Sequence, residues 1–179
     1  MPRCSRTSSP RPWSIALVEQ IATERLVLRR ARIEDVGAMH RIMRDPEAMR
    51  FWSTLPHESV KTTADWVRSM LSPPQESDDF IVTLDGAVIG KFGAWALPDF
   101  GYLLDPAHWG KGYASEAMAA FLDHRRRQGS LFLTADTDPR NTASIRLLQR
   151  HGFVETGRAT KTWLIGGQWF DSIYWRRDL

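Results

Sequence analysis

Phe100-Gly-Tyr-Leu-Leu-Asp-Pro-Ala-His-Trp-Gly-Lys-Gly-Tyr-Ala-Ser-Glu-Ala117 decides the fold. Residues 100–104 predict a short strand, broken by Asp105-Pro106. Beyond it, Ala114, Ala117, Met118, Phe121 and Leu122 recur at the spacing of one buried helical face. Trp109-Gly-Lys-Gly-Tyr-Ala114 lies between strand and helix. Its two glycines lack Cβ atoms, so the backbone can adopt positive φ and let a ligand approach its amides. The helix that follows offers unpaired N–H groups and the positive end of its dipole. Together these features predict an anion site suited to a pyrophosphate, with Lys111 as an added charge. A dinucleotide fingerprint is excluded because no third glycine follows at the required spacing, and a Walker loop because Gly-Lys-[Ser/Thr] is missing.

On the N-terminal side, residues 25–29 alternate as a half-buried strand. Ile33, Val36, Met39 and Met43 predict a helix ended by Asp45-Pro46. Val60, Ala64, Val67 and Leu71 predict a second, stopped by Pro73-Pro74. Residues 80–84 read as a strand, Asp85-Gly86 as a hairpin turn, and the returning strand runs toward Leu97. On the C-terminal side, residues 131–135 form a strand. Asn141 caps a helix that carries Ile145 and Leu148 and stops at Gly152. Two final strands meet at Gly166-Gly167, with Trp163, Trp169, Phe170, Tyr174 and Trp175 expected first as sheet packing and second as a pocket wall. The order β-α-α-β-β-β-α-β-α-β-β makes an α/β arrangement with a partly parallel sheet.

At 179 residues the chain has room for one domain with a real core. Residues 1–22, rich in Arg, Ser and Pro, are expected to be a flexible extension, and 23–179 the domain. The formal net charge of +3 is weak grounds for nucleic-acid binding, and none is expected. Cys4 is the only cysteine, which excludes an intrachain disulfide and a cysteine-based metal site. The five histidines show no metal-ligand spacing. No apolar stretch reaches the ~20 residues that span a bilayer, so no membrane partner is expected and the location is read as cytoplasmic.

The stretch from Phe100 to Ala117, with Asn141-Thr-Ala-Ser144 and His151-Gly-Phe153 downstream, resembles the GNAT acetyltransferase superfamily, and within it the RimJ/RimL-like branch. The resemblance spans roughly residues 23–178. It implies a GNAT-type acyl-CoA N-acyltransferase fold, a mixed α/β structure whose mostly antiparallel sheet is splayed at the cofactor site. It also implies an N-acetyltransferase that moves the acetyl group of acetyl-CoA directly to a primary amine, with no metal. By the same resemblance, Trp109, Gly110, Lys111, Gly112, Tyr113 and Ala114 hold the pyrophosphate. Tyr102, Leu103 and Leu104 pair through their backbone with the pantetheine arm, and Asn141 and Ser144 lie near pantetheine and sulfur. Two positions depart from the family pattern. Trp109 stands where Gln or Arg usually opens the loop, and Leu148 stands where a tyrosine often serves as general acid.

Acetyl transfer needs a neutral amine, a donor to the thioester oxygen and a proton for the leaving thiolate. With Leu148 unable to supply that proton, Ser144 is the remaining catalytic candidate, against a capping role beside Asn141. Deprotonating a lysine at pH 7 costs about 4.6 kcal/mol and an α-amine only about 1, which favours α-amines where no strong base stands out. Asp99, Asp136 and Asp138 are expected as solvated turn residues or caps, and Glu116 as a first-turn helix acid. Arg125-Arg-Arg127 is expected to complement the helix dipole. His57 and Glu58 fall where acceptors of the family bind, and a solvated loop explains them equally well. The acceptor remains open between a peptide N terminus and a small amine. The alternatives are a catalytically silent acyl-CoA-binding module and a basic nucleic-acid binder.

Overall fold

A computed structural model describes residues 18–179 apart from Pro73 and Gln75. In chain order it contains β1 (Gln20–Ala22), β2 (Leu26–Arg29), α1 (Val36–Met43), α2 (Val60–Leu71), β3 (Asp78–Leu84), β4 (Ala87–Ala96) and β5 (Asp99–Leu104). There follow α3 (Tyr113–Arg127), β6 (Phe132–Thr137), α4 (Thr142–Arg150), β7 (Val154–Ile165) and β8 (Gln168–Asp178). Every expected element is present. The helix expected from Ile33 begins as a 3-10 turn, Ile33–Asp35, and becomes α-helical at Val36. Asp35 accepts from the Arg32 amide at 2.7 Å, which secures that entry.

The domain boundary expected after residue 22 falls too late. Gln20, Ile21 and Ala22 pair antiparallel with Arg29, Leu28 and Val27, so the sheet starts inside the expected extension. Three residues are too few to show a period. The strand exists because the Thr23 hydroxyl accepts from the Leu26 amide at 2.8 Å and turns the chain back. The rest of the expected extension, residues 1–17, lies outside the described residues, as does the only cysteine.

The eight strands form one sheet in the order β1-β2-β3-β4-β5-β6-β8-β7. All neighbours are antiparallel except β5 and β6, which are parallel and registered at Asp99 opposite Thr134 alone. The pleat sends alternate residues of each strand to opposite faces, and each face has its own core. Phe80, Val82, Phe92, Phe100 and Leu104 pack with Met118 and Phe121 of α3 and Leu147 and Leu148 of α4. Ile81 and Leu103 pack on the other side with Met39 and Met43 of α1 and Val67 of α2. Covering both faces explains why β3 reads as a continuous buried run.

Arg125 departs from the expected dipole role. It is buried and donates to Asp78 at 2.5 Å, beside His124 at 2.7 Å, so it fastens α3 to β3. Burial alone would raise the Asp78 pKa. The hydrogen bonds from His124 and Arg125 outweigh it and hold the carboxyl at about 2.

Candidate active site

The single register pair between β5 and β6 makes the two strands diverge. Beyond Asp99, no residue of β6 is registered opposite β5 among the described residues. Asp105 donates its amide to Ile89 of β4. Alternation along β5 therefore turns the backbone of Leu103 toward β4 and that of Tyr102 and Leu104 into the gap. The Leu104 carbonyl there accepts from Trp109 Nε1 at 2.9 Å, so Trp109 ties the glycine loop to the strand. Of the three residues assigned to backbone pairing, Leu103 is the one that faces away.

At the end of the gap, Gly110 and Gly112 take φ of +71° and +85°, the left-handed values that the loop reading requires. Gly112 is the N-cap of α3, so the first-turn amides of that helix lie bare of a side-chain cap. Lys111 Nζ donates to the Ala107 carbonyl at 2.8 Å, folded back along the loop. Arg25 was not foreseen in this region. Its guanidinium donates to Glu116 at 2.7 Å and to the Lys111 carbonyl at 3.2 Å, and stacks over the Tyr113 ring at 4.6 Å. Glu116 thus anchors the turn between β1 and β2 to the loop, and its pKa is held down by Thr23 and Arg25 against the effect of burial. Ala114 follows in the first turn of α3.

At the other end, the gap opens into a cavity of about 600 Å³. Its walls come from the 46–56 segment, the ends of β4 and β5, the end of β6, the start of α4, and the β7–β8 hairpin. Asn141 caps α4 by accepting from the Ser144 amide at 3.1 Å, as expected. The Ser144 hydroxyl does not complete a reciprocal cap. It hydrogen bonds the Tyr102 hydroxyl at 2.7 Å, and both residues line the cavity. Tyr102 is stacked on Phe92 at 5.3 Å, and burial raises its pKa, opposed by the bond to Ser144. Leu148 lies against the same cavity and is buried.

Three acids expected to be solvated turn residues or caps line the cavity, and Asp99 among them is exposed. Asp99, Asp136 and Asp138 all line the cavity, with Asp171 of β8. The protein packed around the Asp99 carboxyl raises its pKa, and the nearby charge of Asp136 adds to this, opposed by a bond from Thr134. Asp136 accepts from Trp163 Nε1 at 2.8 Å and from Ser172 Oγ at 2.7 Å. Asp138 does keep a turn role, binding the Arg140 amide at 2.8 Å. Trp163, expected first as packing, is half open to solvent and forms cavity wall, together with Trp52, Trp95 and Phe170. A register shift between Gly93 and Ala96 bulges β4 beside Trp95. His57 lies outside the cavity, buried, with its Nδ1 on the Thr63 hydroxyl at 2.9 Å. Glu58 is exposed beside it. No cluster of His, Cys, Asp and Glu able to hold a metal occurs among the described residues.

A splayed parallel pair, a left-handed glycine loop and an open cavity in series match a known pattern. Residues 25–154 fit the family model of the acetyltransferase (GNAT) domain. The chain belongs to the GNAT acetyltransferase family. It is accordingly an acetyltransferase, with acetyl-CoA as the acetyl donor. Among its GNAT relatives is the N-acetyltransferase p20 of Bacillus licheniformis, 32% identical over 151 residues that cover 78% of this chain and 85% of p20. An L-methionine sulfoximine/L-methionine sulfone acetyltransferase of Salmonella typhimurium is 32% identical over 104 residues, 53% of this chain and 61% of that protein. The fold also superimposes on a Salmonella typhimurium acetyltransferase that modifies the N-terminal serine of ribosomal protein L7/L12. The TM-score is 0.80 at 21% identity, over 90% of this chain and 99% of that one.

Proposed function

We propose that this GNAT enzyme acetylates the α-amine of a small molecule that the 600 Å³ cavity admits. The observation that carries the acceptor class is the roof of that cavity. Leu55 of the 46–56 segment lies against Gly166 at the hairpin tip, so close that a Cβ on Gly166 would meet its side chain at 2.9 Å. The two arms therefore meet over the cavity, which suits a small guest better than a folded protein surface. Carboxylates and tryptophans together in the lining favour an amine with an apolar body. The L-methionine sulfoximine/L-methionine sulfone acetyltransferase supports the same reading by its acceptor class, whereas the enzyme that modifies L7/L12 supports a peptide N terminus as the second.

In this reading the amides that start α3 and the loop from Trp109 to Ala114 hold the coenzyme A pyrophosphate. The gap-facing backbone of Tyr102 and Leu104 pairs with pantetheine, which completes the sheet where β5 and β6 part. That brings the thioester to Asn141 and Ser144. An N–H of the same edge polarises the acetyl carbonyl. Asp99, its pKa raised by burial, receives the amine's proton, directly or through water. A single cysteine and a soluble donor suit work in a reducing cytoplasm.

The test is a thiol-release screen with acetyl-CoA across free amino acids and their analogues, polyamines, and short peptides. Small apolar α-amines should give the highest kcat/KM, and Asp99→Asn should lower it by about tenfold or more. Release with peptides alone would replace this acceptor class with a protein N terminus.

A further inference from the structure

Leu148 removes the usual tyrosine from α4, yet the cavity still contains a tyrosine hydroxyl. It comes from the opposite wall. Tyr102 reaches from β5 to the overlying α4 and meets Ser144 at 2.7 Å, from a position 42 residues away in the chain. The two strand faces explain the reach. Tyr102 shares its face with Phe100 and Leu104, the face on which α3 and α4 pack, so its ring stacks on Phe92 and its hydroxyl ends at the first turn of α4. The ring is fixed by stacking, and the hydroxyl has Ser144 as its one hydrogen-bond partner among the described residues.

Resting on the acetyl-transfer reading above, we propose that Tyr102 and Ser144 form a two-hydroxyl proton relay that protonates the departing coenzyme A thiolate. The acceptor nitrogen attacks the thioester carbon, the C–N bond forms, and the C–S bond breaks with its electron pair on sulfur. Sulfur takes the Ser144 hydroxyl proton, and Ser144 takes the phenolic proton of Tyr102. The new amide nitrogen sheds one proton to the cavity acids, which release it to solvent, and solvent returns one to the tyrosinate after product leaves. Protons therefore balance over the cycle. Tyr102 acts through Ser144 and is a positioning residue as well as a proton source, and Ser144 is the catalytic residue of the pair. Burial keeps the phenol protonated well past neutral pH, which is the form a donor needs.

Tyr102→Phe preserves the stacked ring and removes only the hydroxyl. Expected is a kcat about tenfold lower, an acetyl-CoA KM within about twofold, and an unchanged melting temperature. Ser144→Ala should cost more, and the double variant should be no slower than Ser144→Ala alone, because the two act as one unit. A proton inventory in mixed water and deuterium oxide should bow for the wild type, with two protons in flight, and become linear in Tyr102→Phe. A purely structural role would not move that curve. Wild-type turnover combined with unchanged kcat in Tyr102→Phe, or with losses that multiply in the double variant, would overturn the relay and leave the acetyl-transfer reading intact. Absence of wild-type thiol release with every amine would remove both.

Discussion

At Gly110 the backbone holds φ at +71° with no protein atom within 4 Å of where a Cβ would sit. Gly86, in the β3–β4 turn, is a natural control, with φ of +81° and equally open surroundings. Forcing a side chain into left-handed backbone costs about 1–2 kcal/mol at either site. Only Gly110 adjoins the proposed pyrophosphate site, so the two substitutions should separate strain from ligand contact. Gly110→Ala and Gly86→Ala should lower the melting temperature alike, while only Gly110→Ala weakens coenzyme A binding, by about tenfold. Melts beside calorimetric titration check this, and equal affinities in the two variants would reduce the loop to a turn. The glycines and the Asn141 cap were legible because each is a local requirement of φ or of an unpaired amide. The Tyr102 hydroxyl was not, since its partner depends on how α4 lies against β5.

Among the elements, the segment between α1 and α2 matters most, because residues 46–56 wall and roof the cavity. It is fastened at its far end by His57, whose amide donates to the Met43 carbonyl at 2.8 Å. His57 and His40 both bring Nδ1 to the Thr63 hydroxyl at 2.9 Å, so the hydroxyl donates to one ring and accepts from the other. Burial lowers the His57 pKa, and the charge that His40 acquires lowers it further. A histidine depressed in the fold binds its proton more readily in the unfolded chain. Its contribution is therefore present above the ordinary value of 6.5 and lost as pH falls through the depressed one. Between pH 7.5 and 5.5 the protein should lose stability and its KM for the amine should rise. His57→Gln should flatten both trends, as melts and initial rates over that range would show. A variant as acid-sensitive as the wild type would assign the effect elsewhere. The periodicity of Val60, Ala64, Val67 and Leu71 made α2 readable, but the cavity side of the preceding segment has no period to read.

For the whole molecule, the decisive feature is a sheet in two parts, β1–β5 and β6–β8, that are joined along only one register pair, Asp99 opposite Thr134. A ligand arm laid in the gap bridges the two parts and binds only when both are folded. Acetyl-CoA at a hundred times its Kd should then add about 2.7 kcal/mol of stability. For a domain of this size that is a rise of about 5–10 °C in melting temperature. Free pantetheine, without the pyrophosphate, should give a smaller shift at the same concentration. A melting temperature unmoved by millimolar acetyl-CoA would contradict the donor site.

The sequence by itself determined the element order, the glycine loop before α3, the capped α4 and the family likeness, because each rests on signals that span a turn or two of chain. It also exposed the missing tyrosine at Leu148. Tertiary structure alone brought the Tyr102 hydroxyl onto Ser144. Tyr102 and Ser144 meet across 42 residues, and Arg25 reaches Glu116 across 91. Asp99, Asp136 and Asp138 looked like separate strand-end acids, yet the fold brings all three to the lining of one cavity. Such meetings depend on pleat, twist and the splay of a sheet, and those angles accumulate over distances that no local pattern of residue types encodes.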